Sequence, residues 1–162
     1  MTKFVPRERL AKALGTLKKK GHTIVFANGC FDLLHVGHLR YLQGAKKAGG
    51  KKGVLVVALN TDASVKKLKG PTRPLMALKE RAELISALAC VDYVTSFGEP
   101  NAEATLLALR PDIQAKGTDY TKKSVPEAGL MRAIGGRIAI TGDAKDHSTT
   151  DLIKKVRRAF AR

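Results

Sequence analysis

Two histidines three residues apart, His35 and His38, flank Gly37 in the run Asn28-Gly29-Cys30-Phe31-Asp32-Leu33-Leu34-His35-Val36-Gly37-His38. A short apolar, β-branched run precedes it, and helical spacing resumes at Val36. A strand, a glycine turn and a helix start aim free backbone N–H groups at whatever lies above the strand, and a helix start of this kind attracts phosphate. Histidines at this spacing can face one side of the helix, and Gly37 removes a side chain so that a ligand can approach the backbone. Two imidazoles donating to a phosphate can stabilise the charge that builds during phosphoryl transfer. Alone, His-x-Gly-His also fits an incidental pair or a metal pair. A metal pair would want further ligands in helical register, such as a Glu beside a His, and none stands here.

The elements that would position these residues alternate. Amphipathic spacing of Leu10, Ala13, Leu14 and Leu17 predicts a helix over Arg7 to Lys20, closed by Gly21. Thr23 to Ala27 reads as a buried strand broken at Asn28-Gly29, and Val36 to Ala48 as a helix. Val54 to Leu59 is a second strand. Thr61-Asp62 caps a helix through Leu68, followed by a loop from Lys69 to Pro74. Ala77 to Ala89 is helical and Val91 to Thr95 a third strand. A helix capped by Asn101 runs to Leu109, before Pro111. Ile113 to Lys116 is a fourth strand, Val125 to Ile134 a helix closed by Gly135-Gly136, Arg137 to Thr141 a fifth strand, and Thr149 to Phe160 a final helix.

Strands that are apolar throughout are expected where both sheet faces are covered. The pattern predicts an α/β fold: a doubly wound, parallel, five-stranded Rossmann-like sheet in three layers. The 162 residues suffice for one domain, with an N-terminal helix over 1–22 and a core over 23–160. Ligands in such sheets bind beyond the carboxyl ends of the strands. The segments there, Asn28 to Gly37, Asn60 to Ser64, Ser96 to Asn101, Gly117 to Lys123 and Thr141 to Thr150, carry nearly all the unusual polar residues.

Thirty Lys and Arg stand against 14 Asp and Glu, a formal charge of +16 that favours polyanionic partners such as nucleotides and sugar phosphates. No series of aromatics lies among the lysine pairs to stack bases, so a nucleic-acid groove is not expected. No run approaches the roughly 20 apolar residues of a membrane span, and no membrane partner is expected. Two cysteines, Cys30 and Cys90, do not make a disulfide framework, and the first ten residues do not read as a secretory signal. A reducing, cytoplasmic setting is the expectation.

Taken with Tyr41-Leu42, the run from Asn28 to His38 resembles the signature of the cytidylyltransferase-like nucleotidyltransferases. Within them it is similar to the adenylyltransferases that make ADP-heptose. Ala58 to Val65, Leu68-Lys69-Gly70, Arg73-Pro74, Val91 to Val94, Arg110-Pro111-Asp112 and Ser148-Thr149-Thr150 extend the match over roughly Thr23 to Val156. The resemblance implies attack by a sugar 1-phosphate oxygen on the α-phosphorus of ATP, with pyrophosphate leaving and no protein nucleophile.

It further implies His35, His38 and Lys69 as catalytic groups. Asn28, Gly29, Cys30, Phe31, Gly37, Lys116, Gly117, Ser148, Thr149 and Thr150 fall at nucleotide-binding positions. Asp32, Asp62, Arg73 and Asp119 are candidates for the acceptor or ribose. Ser148 to Thr150 also fit simple helix capping, Cys30 fits a packed residue, and Arg81 fits an internal ion pair as well as a functional position. No dense carboxylate cage is present, so magnesium is expected to arrive with the ATP phosphates. The homodimers common among similar proteins extend the expectation to this chain.

Three departures stand out: a longer turn over Ala48 to Gly53, Thr118 where a second glycine is usual, and the wording Asp143-Ala144-Lys145-Asp146-His147 before Ser148. The last two touch the acceptor or base. They keep open a cytidylyltransferase acting on glycerol 3-phosphate or a similar ester. The charge keeps open a non-catalytic nucleotide or nucleic-acid binder.

Overall fold

The computed structural model describes residues 3–143 and 147–161. Five strands, β1 (Thr23–Gly29), β2 (Gly53–Asn60), β3 (Tyr93–Phe97), β4 (Ile113–Lys116) and β5 (Arg137–Ile140), form one sheet in the order β3-β2-β1-β4-β5. Every pairing is parallel. The seven helices among the described residues are α1 (Arg7–Lys19), α2 (Val36–Ala48), α3 (Asp62–Lys69), α4 (Leu78–Ala87), α5 (Glu103–Leu109), α6 (Ala128–Ala133) and α7 (Thr149–Phe160).

The predicted doubly wound sheet is what forms. Along β1 and β2 successive side chains enter opposite cores, as the two-residue period of a strand requires. Val25, Ala27, Leu55, Val57 and Leu59 pack toward α2 and α4, while Ile24, Phe26, Val54, Val56 and Ala58 pack toward α1 and α5. Strand order reverses between β1 and β4, and the crevice there is where a doubly wound sheet takes its ligand.

Element ends differ from expectation where hydrogen bonds override composition. Asn28-Gly29 does not break β1, because its ladder with β2 continues to Gly29↔Leu59. β3 starts at Tyr93 rather than Val91. Just before it, the Asp92 carboxylate accepts the Leu55 N–H at 2.6 Å and also pairs with Lys46. α6 begins at Ala128 rather than Val125: Ala128 N–H bonds the Val125 carbonyl across a turn that includes Pro126. Caps fall where the polar residues stand. Thr61 Oγ1 accepts from Ser64 N–H at the start of α3 and Ser148 Oγ from Asp151 N–H at the start of α7, whereas the cap position of α5 is Ala102, not the expected Asn101, whose Oδ1 accepts the Glu103 N–H from one residue earlier. On α7, Leu152, Val156 and Phe160 recur every four residues and stay exposed, Phe160 at 82%. No helix among the described residues is long and apolar enough to cross a membrane.

Candidate active site

A cleft of about 740 Å³ opens over the carboxyl ends of β1, β4 and β5. Its lining includes Asn28, Gly29, Cys30, Phe31, Asp32 and Tyr41 around the first turn, and His35, Gly37 and His38 at the start of α2. Lys69 enters as the last residue of α3, not as the first of the loop that was expected to begin there, Arg73 from the loop beyond it, Lys116 to Tyr120 from the end of β4, and Ser148, Thr149 and Thr150 from the start of α7. Of the residues expected at the site, all but Asp62 reach the cleft.

The turn between β1 and α2 is held in an unusual backbone. Phe31 and Leu33 adopt φ of 48° and 50°, a left-handed region that non-glycine residues enter at a cost of about 1–3 kcal/mol. Surrounding contacts hold it there. The Phe31 ring is buried and packs against His38, centroids 5.2 Å apart, and Tyr41, 6.3 Å. Phe31 therefore supports His38 with its ring rather than presenting it to a nucleotide, a correction to its expected role. The imidazoles of His35 and His38 stack with centroids 3.8 Å apart. A Cβ built on Gly37 would lie 3.1 Å from Nδ1 of His35, closer than an ordinary contact, so a side chain there would make that ring give way by a few tenths of an ångström.

Both rings are kept neutral. Burial, then the neighbouring His35, then Lys69 lower the pKa of His38 from 6.5 to about 4. Burial and then His147 lower that of His35. Among the described residues neither buried Nδ1 has a hydrogen-bond partner, so none of them fixes either tautomer and the rings can offer N–H to a ligand. Stability follows in sign. The unfolded chain binds a proton at His38 near pH 6.5 and the folded chain only near pH 4, so stability is full above 6.5 and lost as pH falls toward 4. Denaturant unfolding between pH 7 and 4 is expected to show this decline, at most about 1.4 kcal/mol per pH unit from this group. It should be shallower in His38→Gln; an unchanged slope would contradict the burial assigned to His38.

Asp32 corrects a second expectation. It is 2% exposed, and its carboxylate accepts the N–H groups of Leu75 and Met76 and a guanidinium N–H of Arg73 at 2.8–3.0 Å. Burial alone would raise its pKa. The Leu75 N–H, Arg73 and the Met76 N–H outweigh it and hold the carboxyl below its ordinary range. Asp32 thus anchors the loop after Lys69 rather than waiting for an acceptor hydroxyl. Arg73 is committed to it through one nitrogen while still lining the cleft.

Asp62 lies outside the cleft lining. Its carboxylate takes the Arg81 guanidinium at 2.7 Å and the Leu78 N–H at 3.3 Å. Arg81, fully buried, also donates to the carbonyls of Met76, Cys30 and Asn60. Its internal reading wins: it ties the β1 turn, the end of β2 and the Met76 loop together. Cys30 sits between these parts, its thiol pKa pushed up chiefly by burial, which does not favour a thiolate.

At the other end of the cleft, Lys116 is nearly buried. Its ammonium donates to Asn28 Oδ1 and to Glu127, each at 3.3 Å, and lies 5.4 Å from the Tyr120 ring centroid. Glu127, 6% exposed, is absent from the sequence expectations, because an ion pair spanning a loop and a helix start has no local spacing signal. Thr118, where a glycine was expected, donates to the Asp143 carbonyl at 2.7 Å and so joins the loops after β4 and β5. Asp119 lines the cleft beside Gly117, where a Cβ would come within 2.7 Å of its Oδ1. Ser148 caps α7, and Thr149 donates to the Asp32 carbonyl at 2.7 Å, bringing the helix start to the β1 turn. In the segment 143–147, residues 144–146 lie outside the described residues; Asp143 and His147 both line the cleft.

The arrangement can neutralise a chain of phosphates: two neutral imidazoles, an exposed lysine and a helix start face one crevice. Among the described residues no group of three or more His, Cys, Asp or Glu is placed to hold a metal ion. Comparison with known proteins points the same way. Residues 26–155 match the family model described as cytidylyltransferase-like. The chain is 45% identical over 150 residues to the bifunctional protein HldE of Syntrophotalea carbinolica, covering 93% of this chain and 30% of that protein. It is 42% identical over 151 residues to the HldE of Azotobacter vinelandii, covering 93% and 31%. It thus spans about a third of the length of these relatives. A lipopolysaccharide core biosynthesis protein from Thermoplasma volcanium superposes with a TM-score of 0.62 at 31% identity, over 76% of this chain and 98% of that one.

Proposed function

This chain belongs to the cytidylyltransferase-like family and is a nucleotidyltransferase, and we propose that it transfers AMP from ATP to heptose 1-phosphate, giving ADP-heptose and pyrophosphate. The observation that carries the reading is the stacked, neutral His35–His38 pair opening onto the same cleft as Lys69 and the start of α7. The relatives support a sugar phosphate as acceptor through the likeness to a lipopolysaccharide core biosynthesis protein.

A phosphate oxygen of the acceptor attacks the α-phosphorus, a new P–O bond forms, the bond to the β-phosphate oxygen breaks, and pyrophosphate leaves. No protein nucleophile takes part, so positioning and charge neutralisation are the work of the site. His35 and His38 donate to phosphate oxygens as charge shifts toward the leaving group. Lys69, exposed at the last position of α3, adds a positive charge from the open side. Ser148, Thr149 and Thr150 hold the phosphates at the start of α7, with Ser148 also capping it. Lys116, fixed by Asn28 and Glu127, and Gly117 form the nucleotide end with the backbone of Asn28 to Cys30. Asp119 is the carboxylate placed for a ribose or acceptor hydroxyl. The donors in the cleft suit phosphate oxygens rather than a metal cage. Magnesium would arrive with the ATP phosphates and would supply charge neutralisation beside His35, His38 and Lys69. A homodimer in a cytoplasmic setting completes the reading. The exposed apolar stripe on α7 supports self-association, and the unpaired cysteines Cys30 and Cys90 support a reducing compartment.

A screen of ATP and CTP against heptose 1-phosphate, glycerol 3-phosphate and other simple phosphate esters, read by pyrophosphate release, tests this. Release with ATP and the heptose ester is expected. Release only with CTP would replace the adenylyl reading by a cytidylyl one.

A further inference from the structure

We propose that His147 is a third imidazole of the phosphate site, donating to the β- and γ-phosphates and then to departing pyrophosphate. The inference rests on the nucleotidyltransferase reading above and adds a catalytic residue to it. The described residues before and after His147 are fastened to neighbouring parts of the cleft. Before it, Asp143 pairs with the Arg40 guanidinium of α2, and its carbonyl accepts the Thr118 hydroxyl at 2.7 Å. After it, Ser148 caps α7 and Thr149 donates to the Asp32 carbonyl. His147 stands beside His35 and Gly37 at the start of α2.

There it lines the cleft, with its ring centroid 6.5 Å from that of His35 and tilted by 40°. Gly37 makes the approach possible: a Cβ at that position would lie 3.2 Å from the Cβ of His147. The glycine between the two signature histidines therefore clears space for His35 on one side and for the third histidine on the other. His147 is also close enough to His35 for positive charge on one to disfavour it on the other. A polyphosphate bound between them would offset that repulsion with its negative charge. The residue next in sequence, Ser148, caps α7, whose free N–H groups attract the same phosphates. His147 therefore stands between two phosphate-attracting features, away from the Lys116 end of the cleft.

Calorimetric titration with inorganic pyrophosphate and magnesium tests the assignment without knowledge of the acceptor. The unsubstituted protein is expected to bind. His147→Ala should bind pyrophosphate about tenfold more weakly, the loss of one hydrogen bond to a charged group. His147→Gln, which keeps a donor, should recover part of the loss. In steady-state assays the KM for ATP should rise while the KM for the acceptor stays put, a split that general loosening of the loop would not produce. Equal pyrophosphate affinity in His147→Ala, or equal increases in both KM values, would overturn the role of His147. Absence of pyrophosphate and ATP binding in the unsubstituted protein would instead overturn the nucleotidyltransferase site on which it rests.

Discussion

His38→Ala is expected to lower kcat by about 10²–10³-fold, the usual effect of removing one preorganised donor from a site of developing charge. The fold should not suffer with it. His38 is kept neutral by burial, and its buried Nδ1 has no partner among the described residues, so the protein maintains this ring at an energetic disadvantage. An unpaired buried polar atom costs about 1–3 kcal/mol. Alanine relieves that cost while opening a small gap beside the Phe31 ring, and the two effects oppose each other. Steady-state nucleotidyl transfer and thermal unfolding, measured on the same preparation, check the combination. A residue kept for packing would show the reverse: retained activity with lowered stability.

Arg81→Met should destabilise the protein by about 3–5 kcal/mol, the range for breaking a buried charge cluster by removing one partner. Methionine fills much of the same space but donates nothing. The carbonyls of Cys30, Asn60 and Met76 would lose the guanidinium together. Asp62 is partly exposed and can turn toward water, so most of the cost comes from those three carbonyls. Arg81→Lys should recover only part of it, because one ammonium cannot span acceptors on three separate segments as a planar guanidinium does. Urea unfolding measures the difference, and a loss below about 1 kcal/mol would show that the cluster is not what holds the β1 turn against β2. The Cys30 and Asn60 backbones border the cleft, so transfer by the folded fraction should weaken as well.

Sheet topology and the place of the cleft were legible in the sequence because they depend on patterns of local period. Apolar runs of strand length alternate with helical spacing, and polar residues collect after the strands. His35, Gly37 and His38 were legible for the same reason, since three residues on a helix start need no long-range information to share a face. Carboxylates were harder. Asp32 and Asp62 have the chemistry of acceptor contacts, and only the fold reveals that Leu75, Met76 and Arg73 occupy one while Arg81 occupies the other. Glu127 was invisible because its partner Lys116 lies on a different element. Thr118 was noticed as a departure from a glycine, yet its bond to the Asp143 carbonyl depends on how two loops meet. His147 stood in the least familiar segment, and its approach to His35 depends on the fastenings at Asp143 and Thr149.

In the proposed reaction a sugar phosphate attacks the α-phosphorus of ATP directly. Its most direct measurement uses heptose 1-phosphate enriched in heavy oxygen at the phosphate, with the products resolved by mass spectrometry and phosphorus NMR. The account predicts a nucleotide sugar carrying label in the bridge between its two phosphorus atoms, unlabelled pyrophosphate, and no pyrophosphate release when the acceptor is omitted. Stoichiometric pyrophosphate release before acceptor is added would reveal a covalent intermediate and contradict direct attack. Failure to form a nucleotide sugar from ATP would contradict the proposed reaction itself.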